Sequence, residues 1–196
     1  MKLYLMRHGQ STANLERNHA GWAQVVPLTD KGILDAKHLG TLIKDIPFDK
    51  LYSSDLLRAI QTGEYALPGV EKEQTPLLRE LDVGSIAGIP IEECRSTLGD
   101  AYKNAIATRN LRVFGGESTE EQIERLRQFL SMIEKSDYSR VGAFCHEGVQ
   151  QCMLAIATGT VDAARKASAD NGSVAVFEYA NGVWKLLIWN YTGALQ

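Results

Sequence analysis

Several features are scarce or missing in this 196-residue chain, and each absence removes a class of function. The three cysteines, Cys94, Cys145 and Cys152, are odd in number and lack paired metal-ligand spacing. Neither a disulfide framework nor a cysteine-bound metal is expected of them. Charge of one sign is not in excess: 21 Lys and Arg face 24 Asp and Glu, a net charge of -3. That balance excludes a broad nucleic-acid footprint and a polybasic membrane patch, so any anion site has to be a local cluster. No run is apolar enough to span a bilayer, and no early segment joins a basic start to an apolar stretch and a small-residue cleavage site, which implies a cytoplasmic protein. Low-complexity tracts, fixed-period repeats and Pro- or Ser-rich linkers are also missing, so residues 1–196 are expected to form one domain.

What is present is an alternation of strand and helix patterns. "KLYLM" reads as a buried strand, and residues 30–44 carry apolar positions at helical spacing behind Thr29 as N-cap. "FDKLYSS" gives a second strand, and "SDLLRAIQTGEYAL" a second helix with Ser54 as its cap, ended by Pro68 and Gly69. After a poorly periodic middle, Ser118 and Glu121 form a capping box ahead of an amphipathic helix. "RVGAFC" is another buried strand leading into the apolar helix "VQQCMLAIATG", and two β-rich runs about Asn181-Gly182 signal a hairpin. The order implies an α/β fold: a three-layer sandwich with a mainly parallel central sheet, one antiparallel strand and helices on both faces.

In such sheets ligands bind beyond the carboxyl ends of the strands. Arg7 and His8 follow the first strand, Cys145, His146 and Glu147 follow a later one, and Arg58 begins the helix after the second. Two arginines and two histidines converging on one edge suit a bound phosphoryl group, because guanidinium donors match its oxygens and like charges otherwise repel. One neutral imidazole attacks phosphorus and the other, protonated, stabilises the developing charge. Cys145, behind "VGAF", reads as a small packed hydrophobe rather than a nucleophile.

The segments "LMRHGQS", "PLTDKG", "YSSDLLRAIQT", "LLRELDVGSIAG", "FGGES" and "FCHEG" resemble, in order, those of the histidine phosphatase superfamily, phosphoglycerate mutase-like branch. The resemblance implies phosphoryl transfer without metal or other cofactor: His8 becomes a phosphohistidine, Arg7, Arg58 and His146 hold the phosphoryl group, and Glu80 protonates the leaving oxygen, with Asp82 as the fallback donor. It places Ser11 and Asn14 as phosphate- or substrate-orienting side chains and residues 83–117 as a cap over the substrate.

Glu147 departs from the family, which commonly has glycine there; it stands with Ser11 and Asn14 as a candidate substrate- or phosphate-binding residue, its charge near the phosphate site unless it turns outward, and tolerable at a helix start. Only the separated Arg109 and Arg112 stand where mutases carry adjacent arginines, which favours a phosphatase acting on a small phosphorylated metabolite. Mutase-type transfer and a non-catalytic phospho-ligand-binding protein are the alternatives. His19 is an undecided loop residue, His38 a surface residue, Trp22 a candidate for the pocket mouth, and the chain is a monomer or a homodimer.

Overall fold

The computed structural model describes residues 1–193. Six strands form one sheet in the order β3-β2-β4-β1-β5-β6: β1 (Lys2–Arg7), β2 (Lys50–Ser54), β3 (Glu73–Thr75), β4 (Arg140–Cys145), β5 (Val174–Ala180) and β6 (Val183–Tyr191). The first four are parallel, and β5 runs against both of its neighbours. The expected mainly parallel sheet with a single reversed strand is therefore present. Asn181 and Gly182, with φ of 53° and 78°, make the tight turn between β5 and β6 that positive φ at both positions favours.

Alternation along the strands builds a core on each face. Leu3 and Leu5 of β1, with Val141, Ala143 and Cys145 of β4, point to one side. There they meet Leu126, Phe129, Leu130 and Ile133 of α6 (Thr119–Glu134), and Val149 and Met153 of α7 (Glu147–Thr158). Met6 and Phe144 point to the other, against Leu39 and Ile43 of α2 (Asp30–Ile43) and Ala66 of α3 (Leu57–Ala66). The aperiodic middle folds as two short helices, α4 (Ile91–Thr97) and α5 (Gly99–Thr108), around a separate small cluster of Leu81, Val83, Ile86, Cys94, Tyr102, Ala105 and Leu111. Short α1 (Thr12–Glu16) and α8 (Val161–Lys166) complete the helices used below. Among the described residues no helix is long and apolar enough to cross a membrane. The terminal hairpin completes the sheet, leaving Leu186, Leu187 and Ile188 of β6 exposed at its edge.

The caps largely follow the sequence. Thr29 accepts from Gly32 N at the start of α2, and Ser118 with Glu121 forms the reciprocal box at the start of α6. Ser54 is a correction. It does not cap α3, which begins at Leu57 behind Leu56 without a side-chain cap, because the Ser54 hydroxyl instead lies 2.9 Å from His146 Nε2. Ser118→Ala is expected to cost about 1 kcal/mol, the usual worth of an N-cap hydroxyl, visible as a lower urea midpoint at unchanged slope.

Candidate active site

The register of β1 with β4 builds the centre of the site. Arg7 lies opposite Cys145 across the parallel pair, so the next residues, His8 and His146, emerge side by side with ring centroids 5.2 Å apart. The His8 backbone is held on several sides: its N–H donates to Cys145 O, and its carbonyl accepts from Gly172 N and Asn171 Nδ2. Arg58 reaches the same volume from α3 and is 1 % exposed, although it carries a guanidinium. Gly9 N donates to Thr62 Oγ1, which donates to Arg58 O, tying the His8 turn to that helix.

Hydrogen bonding fixes which nitrogens are free. His8 Nδ1 lies 2.7 Å from Gly9 O and must donate there, which leaves Nε2 with the lone pair. Ser54 Oγ accepts from Leu56 N and lies 2.9 Å from His146 Nε2; in the tautomer in which the hydroxyl donates to Nε2, His146 Nδ1 carries the hydrogen, and Nδ1 is buried without a partner among the described residues. Arg7 Nε and Arg58 Nε are likewise buried and unpartnered. Buried polar nitrogens are costly to leave unpaired, so Arg7 Nε, Arg58 Nε and His146 Nδ1 mark unmet hydrogen-bonding capacity around His8.

Electrostatics point the same way. Burial first, then Arg58 and Arg7, hold the His8 proton affinity well below the ordinary histidine value, against the opposing pull of Gly9 O. His146 is lowered well below it too, by burial, Arg58, His8 and Arg7 in turn. In the free protein both imidazoles are thus disfavoured as cations; the expectation of a protonated second histidine concerns the charge that develops during transfer. Arg58 itself is drawn down to about 10, chiefly by burial and against the pull of Glu80. Burial pushes the Cys145 thiol up and Cys152 to about 12, so both are inert packed thiols.

Glu80 projects into the same cavity of about 460 Å3, together with Arg7, His8, Ser11, Asn14 and Arg58. Its carboxylate accepts from Leu81 N at 2.8 Å, Gly148 N at 3.3 Å and Gln122 Nε2 at 3.4 Å. It thus sits on the first turn of α7. A Cβ at position 148 would lie 2.1 Å from Glu80 Oε1, so glycine is what lets the acid approach. Asp82, the fallback, caps Gly84 N and is not part of the cavity wall. Ser11 and Asn14 line the cavity but spend much of their bonding on each other as the capping box of α1.

The structure also places the residues left open or conditional in the sequence. Glu147 does not turn outward: it pairs with Arg7 at 3.3 Å and accepts from Ala169 N, two partners that offset its charge at the cavity wall. Trp22 is absent from the cavity wall, and its indole donates to Glu80 O at 2.7 Å. His19 is on the wall, 2.7 Å from Tyr102 Oη. Arg109 also faces the cavity, whereas Arg112 pairs with Glu121 away from it.

A family model described as histidine phosphatase superfamily (branch 1) matches residues 3–192. The chain belongs to that superfamily. It is 31% identical over 165 residues to the adenosylcobalamin/alpha-ribazole phosphatase of Salmonella typhimurium, covering 79% of this chain and 78% of that one. It is 36% identical over 132 residues to a 2,3-bisphosphoglycerate-dependent phosphoglycerate mutase of Xanthobacter autotrophicus, covering 63% of each. The alpha-ribazole phosphatase structure from Shigella flexneri superimposes with a TM-score of 0.88 over 98% of this chain and 97% of that one, at 24% identity, a likeness of fold.

This histidine phosphatase superfamily member also holds residues that its sequence did not single out. Arg165 of α8 lines the cavity, and Gln122 touches Glu80 while accepting from the Cys152 thiol. Position in the chain gave no sign of either, since both reach the site only through helix packing.

The lowered histidines make stability pH-dependent. The unfolded chain binds their protons near pH 6.5 and the folded chain does not, so stability is complete above 6.5 and is lost as the pH falls below it. The loss is expected to reach about 1.4 kcal/mol per pH unit for each histidine. Urea unfolding between pH 7.5 and 5 measures it; His146→Phe is expected to halve the slope, and a flat parental profile contradicts the burial of neutral imidazoles.

Proposed function

We propose that the protein is a phosphatase that hydrolyses a small phosphate monoester through a phosphohistidine on His8. The observation that carries this reading is His8 itself: its Nδ1 hydrogen is committed to Gly9 O, its ring lies 5.2 Å from that of His146, and it shares a cavity wall with Arg7 and Arg58. The cavity falls within the roughly 300–1,000 Å3 range of small-molecule sites.

In the first step Nε2 attacks phosphorus, forming the N–P bond as the P–O bond to the alcohol breaks. Gly9 O stabilises the growing positive charge on the ring through Nδ1–H. Arg7 and Arg58 take up the equatorial oxygens, and His146 Nδ1–H adds a third donor. Glu80, protonated at that moment, gives its proton to the leaving alkoxide. In the second step the Glu80 carboxylate removes a proton from water, whose oxygen attacks phosphorus, breaks the N–P bond and releases phosphate. Charge neutralisation falls to guanidinium groups of the chain itself, so the reading includes no metal and no organic cofactor, in a cytoplasmic setting.

Two observations support hydrolysis over mutase chemistry. Arg112 is drawn away by Glu121, so it does not stand beside Arg109 as a carboxylate clamp. The phosphatase relative also aligns over more of the chain than the mutase relative.

The test is multiple-turnover hydrolysis of a panel of phosphate monoesters, including 3-phosphoglycerate, with chelator present. The parent is expected to release phosphate, and His8→Ala to lose at least about 1,000-fold in kcat while retaining part of its phosphate affinity through the arginines. Turnover unchanged in that variant rules out His8 as nucleophile, and isomerisation of 3-phosphoglycerate without release makes the protein a mutase. Glu80→Gln is expected to slow alkyl phosphates by about 100-fold or more, and activated aryl phosphates, whose leaving groups need little protonation, far less. Equal slowing across the leaving-group series removes Glu80 from the donor role.

A further inference from the structure

Trp22 belongs to no part of the cavity wall, yet its short segment touches two functional groups at once. Its Nε1 donates to the backbone carbonyl of Glu80 at 2.7 Å. The carbonyls on either side of it, Gly21 O and Ala23 O, accept from the Arg58 guanidinium at 2.8 and 3.5 Å. Residues 21–23 thus hold the proton donor by a side chain and the phosphate clamp by the main chain.

The segment is itself braced. The guanidinium groups of Arg79 and Arg125 lie over the Trp22 ring at 4.9 and 5.6 Å. Arg79 makes a two-point pair with Asp55, on the turn that leads into α3 and Arg58. Arg125 makes a two-point pair with Glu117 and donates to the carbonyls of Pro76, Leu77, Arg79 and Glu80. Each cation is neutralised by a carboxylate away from the ring, so the indole meets charges whose positions are already fixed. A tryptophan with both faces of its chemistry in use, the ring under cations and the N–H on a carbonyl, is costly to replace by any other side chain.

We infer that Trp22 is a positioning residue that sets the separation between the Arg58 phosphate clamp and the Glu80 acid. The inference rests on the phosphatase reading and extends it. Proton transfer requires the donor oxygen within hydrogen-bond reach of the leaving oxygen, and a displacement of about 1 Å costs up to about 100-fold. Phosphate capture is less demanding, because Arg7, Arg58 and His146 share it. Loosening the Trp22 contact therefore harms protonation of the leaving group before it harms phosphate binding.

Trp22→Phe keeps a ring beneath the two arginines and removes the N–H. With the parent and Glu80→Gln alongside, kcat and KM are measured over a series from activated aryl to alkyl phosphates, with inhibition by orthophosphate as the readout of the clamp. The expected result is a loss of about tenfold in kcat on alkyl phosphates, less than about twofold on activated aryl phosphates, and KM and orthophosphate inhibition within about threefold of the parent. In the Glu80→Gln background the same substitution is expected to cost nothing further, since it acts through that carboxyl. Equal slowing of all substrates, an unchanged series, or a full additional loss in the double variant overturns the inference while leaving the phosphatase reading intact. A parent silent towards every ester overturns both. Should Trp22→Phe fail to fold, Arg125→Lys, which keeps a cation and loses the guanidinium hydrogen bond to the same Glu80 carbonyl, is expected to show the same leaving-group-selective loss, and a uniform loss there counts against the role.

Discussion

The structure is organised around the burial of positive charge. Arg58 is almost wholly removed from water, Arg7 lies a few ångströms from its own carboxylate partner, and two imidazoles are packed between them. Taking a guanidinium out of water is expensive unless its hydrogens are satisfied, and Gly21 O and Ala23 O satisfy only one end of Arg58. Burial of the rings themselves, and after it the charge of Arg58 and Arg7, disfavours protonation of His8 and His146. A neutral imidazole at His8 is therefore a consequence first of its own burial and then of where the arginines sit.

Much of this was legible because it is local. Arg7, His8 and His146 follow buried strands directly, and a strand that ends in charged residues at the sheet's carboxyl edge has few places to send them. The register confirms the geometry, since Arg7 and Cys145 are cross-strand partners. Arg58 follows the same logic from the start of α3. The fold was equally readable where patterns were strong: the capping box at Ser118 and the Asn181-Gly182 turn each report a backbone conformation through a few adjacent residues.

What escaped the sequence depends on partners far away in the chain. Glu147 faces inward because Arg7 and Ala169 N meet there, and nothing near position 147 encodes either. Ser54 has the composition of an N-cap, but His146 competes for its hydroxyl and lies at a favourable distance. Helices α4 and α5 are short and lack side-chain caps, so their stability comes from the small cluster around Tyr102 and Leu111 rather than from a pattern of their own. Trp22 is the extreme case: its ring, its N–H and its neighbouring carbonyls each answer to a different distant residue.

The two histidines, alike in burial and in their lowered proton affinity, are made unequal by a single contact each. His8 has already given its Nδ1 hydrogen to Gly9 O, so its remaining nitrogen is a base. His146 has its Nε2 on Ser54, and where the hydroxyl donates there, its remaining nitrogen is a donor. An arriving phosphoryl dianion raises the proton affinity of both rings, because it offsets the field of Arg7 and Arg58. At His146 that gain strengthens a hydrogen bond to an oxygen. At His8, in the proposed reaction, it is Nε2 that meets phosphorus, and a bond formed there would use the lone pair that a proton would otherwise take. Division of labour between chemically identical side chains thus rests on which ring nitrogen the backbone and Ser54 leave exposed.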